Sequence, residues 1–226
     1  MTFILGLLAF GAALWFLVRL KRQDTQRCRE ILALEPAPSQ TMRGTTPEGF
    51  SFSQTAILQG VMLGHAATLW ARTVRHPLAA KRRRTGSQFT VLELALTRPA
   101  RFALRIQPAG LLETLEWASR GPADDRVPIE SAFDEAYVVY TSSPADAKAV
   151  LTPAVRASLL EFRSRVGGNL PSTTAGRLSS ALVLGTFDIE GSNARYALFG
   201  SPTAATAEQV KAAAPVLTQL AAAARA

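Results

Sequence analysis

Four adjacent cations, Lys81, Arg82, Arg83 and Arg84, stand in the stretch HPLAAKRRRTGSQF, and no acid lies between Arg72 and Glu93. With Arg72 and Arg75 they form the densest run of candidate site residues in the chain. Clustered cations attract phosphate, whether of lipid or of nucleic acid. A charged hairpin tip that is merely solvated is the competing reading.

The other side chains able to do chemistry are sparse. His65, in LGHAATLW, could act as a base, although a single histidine beside a strand is more often structural. Asp124 and Asp125 are adjacent in a turn-like stretch. Asp134 and Glu135 are also adjacent, and on a helix they would point about 100° apart, too divergent to share a proton. The chain carries one cysteine, Cys28, and two histidines, His65 and His76. That set makes neither an internal disulfide nor a metal site of ordinary spacing. There is no nucleophile elbow, phosphate-binding loop, dinucleotide fingerprint or zinc-protease helix motif. The expectation is a non-enzymatic protein with no cofactor and no metal.

Charge is distributed unevenly. Of the formal +8, the segment from Met1 to Arg105 holds fifteen Lys or Arg against five acids, and the rest holds ten against twelve. Trp70, Phe89 and Phe102 alternate with cations as nucleic-acid stacking platforms do. The same aromatics are needed for the core, so nucleic acid is the disfavoured partner.

The elements that must position these residues begin with an uncharged run, Thr2–Val18. Its seventeen residues span about 25 Å as a helix, at the short end for crossing a bilayer core. Arg19, Lys21 and Arg22 follow it, and no small-residue cleavage site does. That pattern predicts a retained single-pass transmembrane helix with the remainder of the chain on the cytoplasmic side. Cys28 would then lie near the membrane, within reach of palmitoylation, although an unmodified thiol is the simpler reading.

Residues 21–49 read as a juxtamembrane segment and a proline-rich linker, and a folded domain is expected over residues 50–226. Strand patterns start at Phe50 and cover Ala67–Arg75, Gln88–Leu96 and Arg101–Gln107, which short links would join as an antiparallel meander. YVVYT predicts another strand. Ser143, Pro144 and Asp146 then predict a helix start, and Thr152 and Pro153 a second, with Val155, Leu159, Phe162 and Val166 on its buried face. ALVLGTFDI and ARYALFG read as two strands joined at EGSN. A last helix opens near Ser201 and Pro202 and should kink at Pro215. The fold class expected is α+β: a transmembrane helix, then a mainly antiparallel sheet of about seven strands, two mid-chain helices and a C-terminal helix. Seven strands and a terminal helix also invite comparison with pleckstrin-homology-like barrels, an analogy of fold only.

The spacing of Phe133, Tyr137, Val138, Val139, Tyr140, Ala147, Leu151, Thr152, Pro153 and Leu159, written F-x3-YVVY-x6-A-x3-LTP-x5-L, resembles an uncharacterised family of bacterial membrane-anchored proteins. The G-x3-G of Gly60 and Gly64, followed by TLWARTVR, is similar to that family's upstream strands. The resemblance implies a membrane-anchored architecture and brings no catalytic or binding residues with it. Together these readings point to a single-pass protein of a bacterial inner membrane bearing a cytoplasmic interaction domain. Its partners would be the lipid bilayer and an unidentified protein. The alternative is an anionic-lipid module working through the basic hairpin, and a novel enzyme ranks below both.

Overall fold

The computed structural model describes Arg19 and residues 22–45, 51–75, 86–109, 125–167 and 183–224. The architecture follows from a long three-strand meander: β3 (Ser51–Met62), β4 (His65–Arg75) and β5 (Ser87–Ala95), paired antiparallel. Leu63 and Gly64 join the first two with φ of 51° and 81°. That is the left-handed pair a two-residue hairpin needs, and glycine takes one of the two positions without strain. A bulge between Ala56 and Leu58 shifts the register of β3 against β4. It turns Ala56 and Leu58 to opposite faces.

The segment read as a linker is part of the sheet. β1 (Glu35–Pro36) and β2 (Thr41–Thr45) lie end to end along the free edge of β3, opposite Leu58–Gln59 and Ser51–Thr55 respectively. Prolines are tolerated there because an edge strand need not donate on its outer side. The preceding helix α1 (residues 22–32) is likewise in the fold: Cys28, Leu32 and Leu34 are buried in the main core. The folded unit therefore begins well before Phe50.

Beyond the meander the sheet departs from sequence order. Its remaining strands are β6 (Leu104–Pro108), β7 (Asp125–Val127), β8 (Tyr137–Thr141), β9 (Thr186–Glu190) and β10 (Asn193–Phe199). The spatial order is β1-β3-β4-β5-β10-β9-β6-β8-β7, with β2 also on β3. Where about seven strands were expected, the sheet has ten among the described residues. The short TRPA turn does not make β5 and β6 neighbours, because the β9–β10 hairpin inserts between them. All five residues of β6 are buried. Such a strand needs a partner on each side, and β9 and β8 supply them.

Five helices lie among the described residues: α1, α2 (Ser131–Asp134), α3 (Pro144–Val150), α4 (Pro153–Gly167) and α5 (Ala204–Ala223). The two mid-chain starts fall where expected. Ser143 is the N-cap residue of α3, although its hydroxyl donates to Asp146 at 2.5 Å rather than accepting from the backbone. Thr203, not Ser201, caps α5, in a reciprocal box with Thr206. Pro215 sits inside that helix on its exposed side, where the missing amide is least costly. Val155, Leu159 and Phe162 of α4 are buried, and Phe162 meets Phe187 and Tyr196 edge-on at 5.5 and 5.9 Å. Tyr137 and Tyr196 bury their rings completely and donate to the carbonyls of Leu159 and Leu184. Burial holds both phenols well above their usual pKa.

The transmembrane part of the expected fold class is corrected on the same ground. No helix among the described residues is long and apolar enough to cross a membrane. The Thr2–Val18 run on which the single-pass expectation rested lies outside them.

Candidate functional site

Strand alternation divides the sheet into two faces. One carries Leu58, Leu69, Leu92, Tyr196, Phe187 and Ile106 into the main core. The other carries polar residues in register. Successive cross-strand partners on it are Thr68, Glu93, Arg195, Asp188, Arg105, Tyr140 and Arg126, one from each of seven adjacent strands from β4 to β7. Charges alternate along its middle.

Arg195 Nε donates to Glu93 at 2.7 Å and Arg195 Nη1 lies 3.8 Å from Glu190. Arg105 Nη2 donates to Asp188 at 3.3 Å. Directly opposed opposite charges stabilise a sheet, and like charges there would destabilise it. The row is half-buried: the Arg105 side chain is 10% exposed and that of Asp188 21%.

Arg72 stands beside this row on the same face, two residues past Trp70 on β4. Its guanidinium lies 4.6 Å from the centre of the Phe52 ring. No ion pair within 4.0 Å is made by Arg72 among the described residues. Its pKa is lowered, first by burial and next by the nearby Arg195 charge, with Arg105 also opposing it and Asp188 and Glu93 acting the other way. Flat-sheet spacing of about 4.8 Å per strand would separate β4 from β6 by about 19 Å. Arg105 is also level with Thr68 in the cross-strand register, four residues along β4 from Arg72. Three buried donors on this face have no acceptor: Trp70 Nε1, Arg72 Nε and Arg105 Nε. Beside them lies a small apolar cluster of Ala56, Trp70 and Val91, with Phe89, Ala37 and Ala197 packed against it.

The six cations grouped from the sequence fall in different places. Arg72 and Arg75 share β4 but are three residues apart, so they project from opposite faces. Arg75 is exposed at the end of its strand. Lys81, Arg82, Arg83 and Arg84 lie outside the described residues. Arg98 and Arg101 are exposed at the other end of β5, about 30 Å away along a nine-residue strand. The other residues considered take structural positions. His65 Nδ1 is 3.4 Å from the Ala95 carbonyl. Asp134 accepts from the Ile129 amide with both carboxylate oxygens at 3.1 Å. Asp125 begins β7, and Asp124 lies outside the described residues.

Cys28 is fully buried, and burial, with Asp24 adding to it, raises its pKa to about 11. That position withholds the thiol from acylation in the folded chain. No group of three His, Cys, Asp or Glu able to hold a metal occurs among the described residues.

Sequence reasoning passed over Glu93, Asp188 and Arg195. Each is a lone charge between apolar neighbours (Leu92 and Leu94, Phe187 and Ile189, Ala194 and Tyr196), which marks the polar face of a strand. The signal was present for each residue. Their alignment depended on which strands become neighbours.

These features define a class: an α+β fold in which one broad antiparallel sheet is packed by helices on one face and carries a charged row on the other. Within that class the chain is similar to a solved structure, the crystal structure of the mycobacterial trehalose monomycolate transport factor A, TtfA. The two share 12% identity at a TM-score of 0.52, over 89% of this chain and 94% of that one, a likeness of fold. No family model matches the chain, and no curated protein does.

Proposed function

We propose that this chain is a non-catalytic interaction module whose basic sheet end meets an anionic membrane surface. The observation that carries this reading is the placement of exposed Arg43 and Arg75 near the end of the sheet where β4 finishes and β5 starts. The eleven-residue link that leaves from that end, residues 76–86, holds Lys81, Arg82, Arg83 and Arg84. From Ser51 to Leu92 there is no acid to offset these charges. Each cation near an anionic leaflet contributes about 1 kcal/mol, so five or six acting together make a usable attraction. The solved structure of similar fold is, by its title, a transport factor. A protein partner bound elsewhere on the domain fits the same reading.

The test is co-sedimentation with vesicles of phosphatidylglycerol and phosphatidylcholine against phosphatidylcholine alone, across a salt series. The chain used should start at Arg19, because a shorter one beginning at the expected domain boundary would delete α1, β1 and β2. Binding only to the anionic vesicles, weakened by salt, is the expected result. Replacing Lys81, Arg82, Arg83 and Arg84 by Gln should remove most of it. Unchanged binding by that variant refutes the reading and leaves the run as a solvated hairpin tip.

A further inference from the structure

The charged row pairs most of its own charges, whereas Arg72 beside it has no carboxylate within 4.0 Å among the described residues. Arg195 has Glu93 and Glu190, and Arg105 has Asp188. Among the described residues the partner of Arg72 is the Phe52 ring, which attracts a cation but accepts no hydrogen bond in the plane of the guanidinium. Its Nε, like that of Arg105 and the indole N–H of Trp70, is buried without an acceptor. Buried donors normally have partners, because an unmade hydrogen bond there is costly. The carboxylates of this face are already committed, Glu93 and Glu190 to Arg195 and Asp188 to Arg105, so none among the described residues is left for Arg72. A negatively charged group with several acceptor oxygens would supply what Arg72 lacks. Guanidinium groups suit this because their planar fork matches carboxylate and phosphate geometry.

We propose that the polar face of the sheet binds a single oxyanion, a phosphate or carboxylate head group, anchored on Arg72. Trp70 contributes its indole N–H on the Arg72 side. The apolar cluster of Ala56, Val91 and Phe89 adjoins the anchor and receives the body of the ligand. This site lies on the sheet face rather than at the basic end, and it stands independently of membrane docking. Phe52, on the neighbouring strand, stacks against the Arg72 guanidinium and holds it at the sheet face.

The test uses the full-length protein and three soluble probes: inorganic phosphate, hexyl phosphate and hexanol. Tryptophan fluorescence and calorimetry report binding. Saturable one-to-one binding of hexyl phosphate, absent for hexanol, is expected. Tighter binding of hexyl phosphate than of inorganic phosphate supports an amphiphile as the natural ligand. Equal binding keeps the site and assigns it to a free anion.

Arg72→Gln should weaken either phosphate at least tenfold while leaving the thermal midpoint of the unliganded protein unchanged or higher, because it removes a half-buried cation that has no acidic partner. A merely structural arginine would lower that midpoint instead. Arg72→Lys keeps the charge without the fork and should fall between wild type and Arg72→Gln. The proposal is overturned if neither phosphate binds saturably, or if Arg72→Gln binds as wild type does.

Discussion

Asp188→Asn removes the acid that pairs with Arg105 and leaves the guanidinium in place. At an effective dielectric of about 20 and a charge separation of about 4 Å, the Coulomb attraction is about 4 kcal/mol. Fully buried pairs lose about 3–5 kcal/mol when one partner is deleted, and exposed pairs lose about 0–1 kcal/mol. With Arg105 10% and Asp188 21% exposed, the pair lies nearer the buried limit. Partial solvation of Asp188 brings the expected loss to about 2–3 kcal/mol.

Urea unfolding at neutral pH measures it. With a slope of about 2 kcal/mol/M, the midpoint should fall by about 1–1.5 M. Glu130→Gln is the internal control: Glu130 pairs with Arg156 at 2.9 Å but its side chain is 56% exposed. Its loss should stay below about 1 kcal/mol. Replacing Arg105 by Met and Asp188 by Leu together removes both charges and should recover most of the stability. Equal midpoint shifts for Asp188→Asn and Glu130→Gln would refute the assignment of the row as a half-buried network.

Two further outcomes follow from burial. Cys28, with a pKa of about 11 against 9.0 in the open chain, should react with a disulfide reagent at pH 8 about a hundredfold more slowly in the native protein than in urea, from loss of thiolate alone. A native rate within tenfold of the unfolded one would contradict its place in the core. Tyr137 and Tyr196 are raised above the usual phenol value by burial, so above pH 10 the unfolded chain gives up protons that the folded chain retains. Stability should therefore decline with rising pH in that range, by about 1.4 kcal/mol per unit for each phenol, with Cys28 adding to the fall between about 9 and 11. Urea midpoints at pH 9 and 11 measure the decline, and Tyr196→Phe should reduce its slope. A flat profile in the wild type would refute it.

Local structure was legible wherever a short-range rule operates. Pro144 and Pro153 mark helix starts because the first turn has no use for their missing amides. YVVYT reads as a strand because Tyr137, Val139 and Thr141 are buried while Val138 and Tyr140 are half-buried. EGSN forms a hairpin because β9 and β10 stop on either side of two turn residues. The rules failed where a segment takes its structure from distant neighbours. Glu35–Pro36 and Thr41–Thr45 lack alternation and carry prolines nearby, yet they are strands because the outer edge of β3 offers them hydrogen bonds. Arg101 and Phe102 match the alternation of Arg105 but lie in the turn before β6.

The sequence by itself determined an α+β chain with a basic N-terminal half, the strands from Ser51 to Ala95, the paired mid-chain helices and the alternating faces that hold Glu93, Asp188 and Arg195. These depend on backbone preference and on periods of 2 and 3.6 residues, which are local. Only the tertiary structure decided that β9 and β10 lie between β5 and β6, and so that the three charges meet Arg105 in one row. It also decided that Arg72 faces that row while Arg75 faces away. Strand order depends on which long-range pairings bury the most surface and satisfy both edges of β6, and no local pattern along the chain encodes that comparison.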